Sequence, residues 1–309
     1  MAGGFALGGE GLTLPAPAKI NRFLHVLGRD AAGYHQLQTV FQFCEWGDTL
    51  ELKPRADAQI HLRGDLSGVA AADNLAHRAA VALRAAAGPA AAGLGADIHL
   101  HKLIPPGSGL GGGSSDAATV LLGLNALWKL GLAQTALARI GATLGADVPV
   151  FVHGRACFAE GRGNPVLDVA ADEGPLCLVL PPLHSSTAAV FAHPRMRRDH
   201  PRIAPAQWPA AVAAGVNDCA AAACALQPAL GRIAGELEAL GPFRMSGTGS
   251  AFYARLPSRE KIRTIRGLVE AVAERAVVTS VSNLSPLHVA LHRVPPEQRL
   301  AGSDDRTGA

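Results

Sequence analysis

Pro105-Pro-Gly-Ser-Gly-Leu-Gly-Gly-Gly-Ser-Ser115 decides how the rest of the chain is read. Its glycines let the backbone approach a ligand closely and turn successive N–H groups inward, a nest that binds anions. Before it, Asp97–Lys102 alternates Ile98 and Leu100 with His99 and His101, the period of a strand. After it, Ser115–Trp128 sets Val120, Leu121, Leu124 and Trp128 on one helical face. Strand, glycine-rich loop and helix N-terminus together are the setting of a phosphate site, to which the helix adds partial positive charge. Ser114 and Ser115 can cap that helix, donate to phosphate or ligate Mg²⁺. No Gly-Lys-Ser/Thr closes the loop, so it is not a Walker A motif. Nor does it follow the first strand of a repeating βαβ unit, as a dinucleotide fingerprint would. The other reading, a flexible linker, fits poorly between a clear strand and an amphipathic helix.

Upstream, Leu12–Ala18 and Ile20–Leu27 read as short strands, and Gly28–Gly33 as a turn. His35–Phe43 and Thr49–Lys53 read as two more strands, divided by a turn at Gly47–Asp48. Asp73–Ala87 is a helix capped by Asp73 or Asn74. Downstream come a helix at Thr135–Leu144 closed by Gly145, then short apolar segments at Val148–Val152 and Ala156–Ala159. A strand at Leu176–Leu180, helices near Ala210–Leu226 and Leu230–Leu240, a strand at Ala251–Arg255, a helix at Arg259–Val272 and a strand at Val277–Val281 follow. Strands and helices mix without strict alternation, which predicts an α+β fold.

The 309 residues suffice for one large or two modest domains, and 49% apolar with 17% charged residues is a globular composition. A net charge of +3, without clustered Lys/Arg, argues against nucleic acid or a membrane surface as partner. No run reaches membrane-span length and no signal peptide opens the chain, so the cytoplasm is the expected location. Cys44, Cys157, Cys177, Cys219 and Cys224 are odd in number and lack CxxC spacing, which reads as buried free thiols. Residues 1–10 read as a leader and 295–309 as a disordered tail.

Three further stretches carry chemistry. In Pro15-Ala-Pro-Ala-Lys-Ile-Asn21, Lys19 stands in an apolar context, though read alone it is equally a surface lysine. Asp147 in Gly145-Ala-Asp-Val-Pro149 is either a functional carboxylate or an N-cap. Met245-Ser-Gly-Thr-Gly-Ser250 is either a tight turn or a second loop lining phosphates. These stretches, with the central loop, resemble the three motifs of the GHMP kinase superfamily of small-molecule kinases. Pro17-Ala-Lys-Ile-Asn21, Gly33-Tyr-His35, Thr39-Val-Phe41, Gly109-Leu-Gly-Gly-Gly-Ser-Ser-Asp116, Gly145-Ala-Asp-Val-Pro149 and Asn283-Leu-Ser-Pro-Leu-His288 narrow the match. They look like the branch acting on a cytidine-diphosphate-linked sugar alcohol of the non-mevalonate isoprenoid pathway. The central loop departs from the family's glycine run at Pro106-Gly-Ser108, and the last motif begins Met245-Ser246 instead of Leu-Thr.

The resemblance implies ATP-dependent phosphorylation of the acceptor's 2-hydroxyl. By resemblance Asp147 is the base, and Lys19 lies beside the same hydroxyl, where its charge stabilises the reacting oxygen and phosphoryl group. Residues 105–115 (Pro105, Pro106, Gly107, Ser108, Gly109, Leu110, Gly111, Gly112, Gly113, Ser114, Ser115) would bind ATP, with Asn74 and Lys102 near adenine. Asn21, Tyr34, His35, Phe191 and Thr248 would bind the substrate, His35 and the aromatics taking the cytosine. ATP and Mg²⁺ are the implied cofactors, with no dedicated protein metal ligand assigned. The implied fold is α+β and two-domain, with a ribosomal-protein-S5-domain-2-like N-terminal domain over 11–170. A ferredoxin-like α/β sandwich over 171–294 completes it, with the active site in the cleft. The sequence is compatible with a monomer or a homodimer. Two rivals stand beside this reading: another GHMP small-molecule kinase, and a nucleotide-binding module without catalysis.

Overall fold

A computed structural model describes residues 11–66, 68–255, 258–273 and 275–293. The expected leader and tail lie outside the described residues. The first half contains β1 (Leu12–Arg29), β2 (His35–Arg55), β3 (Ile60–Gly64), α1 (Leu75–Ala86), β4 (Gly95–His101), α2 (Gly112–Leu127) and α3 (Gln134–Leu144), followed by α4 (Val148–His153), β5 (Cys157–Gly161) and β6 (Asn164–Asp168). The second half contains β7 (Gly174–Val179), α5 (Thr187–Ala192), α6 (Trp208–Ala214), α7 (Ala220–Leu226) and α8 (Pro228–Leu240), followed by β8 (Arg244–Met245), β9 (Phe252–Arg255), α9 (Arg259–Ala273), β10 (Ala276–Ser282) and α10 (Pro286–His292). The α+β class holds. Among the described residues no helix is long and apolar enough to cross a membrane.

One sheet runs through both halves in the order β3-β4-β2-β10-β7-β9-β8, and β2 is its spine. The strand pairs β5 through Leu37–Phe41, β10 at Phe43 and Cys44, β4 through Thr49–Arg55, and β1 along most of its length. The predicted break at Gly47–Asp48 is therefore absent. Gly47 is needed for close approach instead of a turn: a Cβ there would lie 2.2 Å from the Ala16 carbonyl oxygen. The two predicted strands before Gly28 are likewise one strand, β1. Its register slips at Pro17–Lys19 and again at Asn21–Leu24. Such bulges re-aim side chains, and here they bracket Lys19 and Asn21.

Leu50, Leu52, Ile98 and Leu100 face a core completed by Leu14, Leu83, Leu121 and Phe151. Every residue of α2 from Ser115 to Ala126 is buried. The sequence suggests one apolar face; the helix is enclosed on all sides, as its small and apolar residues allow. Val148–Val152 forms α4, a short helix packed on α2 and α3. The helix expected over Ala210–Leu226 is broken at Gly215, whose φ of +62° ends α6. A second core gathers Val179, Leu230, Leu237, Phe252 and Val269. The last helix among the described residues, α10, returns to the first core through Leu287, Ala290 and Leu291.

Candidate active site

A cleft of about 520 Å³ opens where β1, the 105–115 loop, α4 and the Met245–Ser250 loop meet. The two glycine-rich loops pack back to back. The Ala251 amide donates to the Ser108 carbonyl at 3.0 Å, and the Ser246 hydroxyl to the Gly109 carbonyl at 3.2 Å. Gly107, Gly109 and Gly111 have φ of +67°, +76° and +76°. A Cβ on Gly109 would fall 2.3 Å from the Ser246 carbonyl oxygen, so glycine is required there for space as well as conformation. Left-handed glycines at alternate positions, opening onto the start of α2, make an anion cradle. Asn217 holds the partner loop by donating to the Met245 and Gly247 carbonyls, both at 2.9 Å.

Lys19 is 4% exposed, and its ammonium sits at the mouth of this cradle. It donates to Asn21 Oδ1 at 2.6 Å and to the Gly109 carbonyl at 3.0 Å, and lies 3.4 Å from Asp147 Oδ2. Asn21 Nδ2 in turn donates to Thr39 Oγ1 at 3.0 Å, so the amide's orientation is fixed. Asp147 occupies the N-cap position of α4, yet its side chain makes no capping hydrogen bond. The carboxylate is turned to the cleft and keeps about a third of its surface open. The N-cap alternative thus does not account for its side chain.

Lys102 also lines the cleft, beside Gly112, but its ammonium is committed. It donates to Asp48 and, at 2.8 Å, to Asp116 Oδ2. Asp48 Oδ1 accepts from the Leu103 and Ile104 amides at 2.5 and 2.8 Å, which fixes the path of the chain into Pro105. Burial pushes the Asp116 carboxyl up to about 7; Lys102 opposes this and Asp48 reinforces it. Asp116 Oδ1 and Ser115 Oγ are buried without a hydrogen-bond partner.

At the other end, Phe191 of α5 lines the cleft and stacks on His35, ring centroids 4.6 Å apart. Burial, with Arg29 and Arg198 nearby, lowers the His35 pKa and so favours the neutral ring. Arg29 Nε donates to His35 Nε2 at 3.2 Å, which assigns the ring proton to Nδ1. Arg162 lines the cleft with its guanidinium 3.7 Å from the Tyr34 ring centroid, and it pairs with Asp30 at 2.9 Å.

Of the residues singled out from the sequence, Lys19, Asn21, Asn74, Lys102, Asp147, Phe191 and Thr248 line this one cleft with most of the 105–115 loop. Leu110 and Ser115 are fully buried beneath it. Tyr34 and His35 stand at the edge of the cleft, each against a residue that lines it, Arg162 and Phe191. Asn74 caps α1, its Oδ1 accepting from the Ala76 amide at 2.9 Å. Sequence reasoning passed over Asp48, Asp116 and Arg162. Asp116 directly follows the glycine loop, and that adjacency was the available signal; nothing local to Asp48 reveals its long-range partner.

Residues 74–155 match the family described as the GHMP kinases N terminal domain. The 4-diphosphocytidyl-2-C-methyl-D-erythritol kinase of Chromohalobacter salexigens is 45% identical, over 91% of this chain and 94% of its own. That of Dechloromonas aromatica is 46% identical over 81% and 90%. A crystal structure of 4-(cytidine 5'-diphospho)-2C-methyl-D-erythritol kinase superposes with a TM-score of 0.74 at 34% identity, covering 88% of this chain and 99% of that one. Homoserine kinase from Cytophaga hutchinsonii shares the fold, with a TM-score of 0.65 at 16% identity over 91% and 97%. A glycine-rich anion cradle, a lysine–carboxylate pair at its mouth and this likeness over nearly the full chain agree: the chain belongs to the 4-diphosphocytidyl-2-C-methyl-D-erythritol kinase family of GHMP kinases.

Proposed function

We propose that the protein transfers the terminal phosphoryl group of ATP to the 2-hydroxyl of 4-diphosphocytidyl-2-C-methyl-D-erythritol, a step of the non-mevalonate isoprenoid pathway. The observation that carries this reading is the Lys19–Asp147 pair, 3.4 Å apart at the mouth of the glycine cradle. Asp147 accepts the hydroxyl proton. Lys19 holds the charge that develops on the oxygen and on the transferring group, and Asn21 and the Gly109 carbonyl keep its ammonium in place. Both residues come from one chain. The reading assigns residues 11–170 to an N-terminal domain with Lys19 and Asp147, and 171–294 to a C-terminal domain with Phe191 and Thr248. It places the enzyme in the cytoplasm, where ATP is supplied.

Mg²⁺ fits the donor set: Asp116 Oδ1 and Ser115 Oγ are hard oxygens without partners, and Ser114 lines the cleft beside them. Ser114, Ser115 and Asp116 would hold the ion alongside phosphate oxygens. When bound, it neutralises phosphate charge.

The cytosine ring is received between Phe191, His35 and Tyr34. His35→Ala is expected to raise KM for the cytidine acceptor roughly ten- to hundredfold with little change in kcat, because a buried polar base edge loses its partner. An unchanged KM would move the base site elsewhere. Arg162→Ala frees the Tyr34 ring and should raise the same KM roughly two- to fivefold. An identical KM would show that Arg162 only decorates the rim. The function itself is tested by ATP consumption with this acceptor, with homoserine or mevalonate in its place, and with none. Turnover with the cytidine acceptor alone supports the reading. Equal turnover with a cytidine-free acceptor would make the protein another GHMP kinase.

A further inference from the structure

On the sheet surface opposite α2, β4 presents Asp97, His99 and His101 outward while Ile98 and Leu100 enter the core. In register with His99 across the strand pair stands Glu51 of β2. His101 Nε2 lies 3.1 Å from Glu51 Oε1, and His99 Nδ1 lies 3.9 Å from Glu51 Oε2. One ligand atom from each of the three residues falls within 4.8 Å of the others. A tetrahedral ion with ligands at about 2.1 Å requires its ligand atoms about 3.4 Å apart, so donors within 4.8 Å of one another close on it by small side-chain rotations. Asp97 takes Arg55 at 3.0 Å and His61 at 3.2 Å, leaving Glu51 facing the two imidazoles, with Lys53 and Arg63 on the same surface. All three side chains are 40–50% exposed, so an ion can enter from solvent.

We infer that Glu51, His99 and His101 form a binding site for one divalent transition-metal ion of the zinc class. Two imidazole nitrogens and a carboxylate oxygen are the donor set that selects zinc over magnesium, and three protein ligands leave a fourth position for water. The site is separate from the cleft yet tied to it by the chain. His101 precedes Lys102, and Glu51 lies three residues beyond Asp48, so a bound ion staples β2 to β4 where both strands deliver the Asp48–Lys102 pair.

The test uses the untagged, chelator-stripped full-length chain titrated with ZnCl2 against a chromophoric chelator, with millimolar Mg²⁺ present to occupy the phosphate cleft. The inference expects one zinc per chain and a rise in the thermal midpoint on binding. His99→Ala and His101→Ala should each weaken that binding at least about tenfold. His61→Ala and His153→Ala should bind as wild type does. Metal-free His99→Ala should turn over ATP at the wild-type rate, which verifies that it folds. Zinc binding of wild-type affinity in both ligand variants, or no zinc taken from the chelator by the wild type, overturns the site.

Discussion

Asp147→Asn is expected to lower kcat by about 10³-fold while leaving ATP affinity almost unchanged, the signature of a group needed only in the transition state. The substitution preserves shape and removes the ability to accept a proton. Its structural cost is small, because the Asp147 side chain caps nothing and its ion pair with Lys19 is partly open to solvent. Lys19 keeps its bonds to Asn21 and to the Gly109 carbonyl, so the ammonium stays in position. Steady-state kinetics beside a nucleotide-binding titration separate the two effects. A folded Asp147→Asn protein with kcat within tenfold of wild type would remove Asp147 as the base.

Lys102→Met is expected to destabilise the fold by about 3–5 kcal/mol, the range for breaking a buried ion pair from one side. Asp48 and Asp116 are 1% and 2% exposed, and Lys102 is the cation between them. The loss also depends on pH. The Asp116 carboxyl titrates near 7 in the folded protein against 3.8 ordinarily, with burial the largest cause. An acid whose pKa is raised by folding keeps its proton longer in the native state, so its contribution to stability falls as pH rises from about 4 to about 7. Without Lys102 nothing opposes the burial, and the deficit should be larger at pH 8 than at pH 6. Urea unfolding at both pH values measures it, and Lys102→Met/Asp116→Asn should recover part of the loss. A single variant as stable as wild type at pH 8 would mean that the two carboxylates reach water.

The chemistry of the cleft was legible wherever it is written locally. Glycine spacing, a lysine in an apolar strand and an aspartate ahead of a proline all announce themselves within a few residues, and Lys19, Asp147 and the 105–115 loop do converge. What stayed hidden is what only long-range packing creates. Gly47 reads as a turn residue until Ala16 is seen pressed against it. The clamp on Lys102 joins residues separated by 54 and 14 positions. The α2 pattern suggested one apolar face because a helix buried all round has no second face to contrast with. That Tyr34 meets Arg162 and His35 meets Phe191 at the edge of the cleft is likewise a product of long-range packing.

The return of α10 to the first core has a consequence for synthesis. Leu287, Ala290 and Leu291 close a cluster whose other members all lie before residue 160. A ribosome adding about 5–20 residues per second therefore exposes that unfinished cluster for roughly 6–25 s before its last helix is made. During this interval the first half has its strands and glycine cradle but lacks the helix that seals it. A nascent chain arrested just before Pro286 should accordingly be cut by protease in the first half, and one arrested after α10 has cleared the exit tunnel should resist.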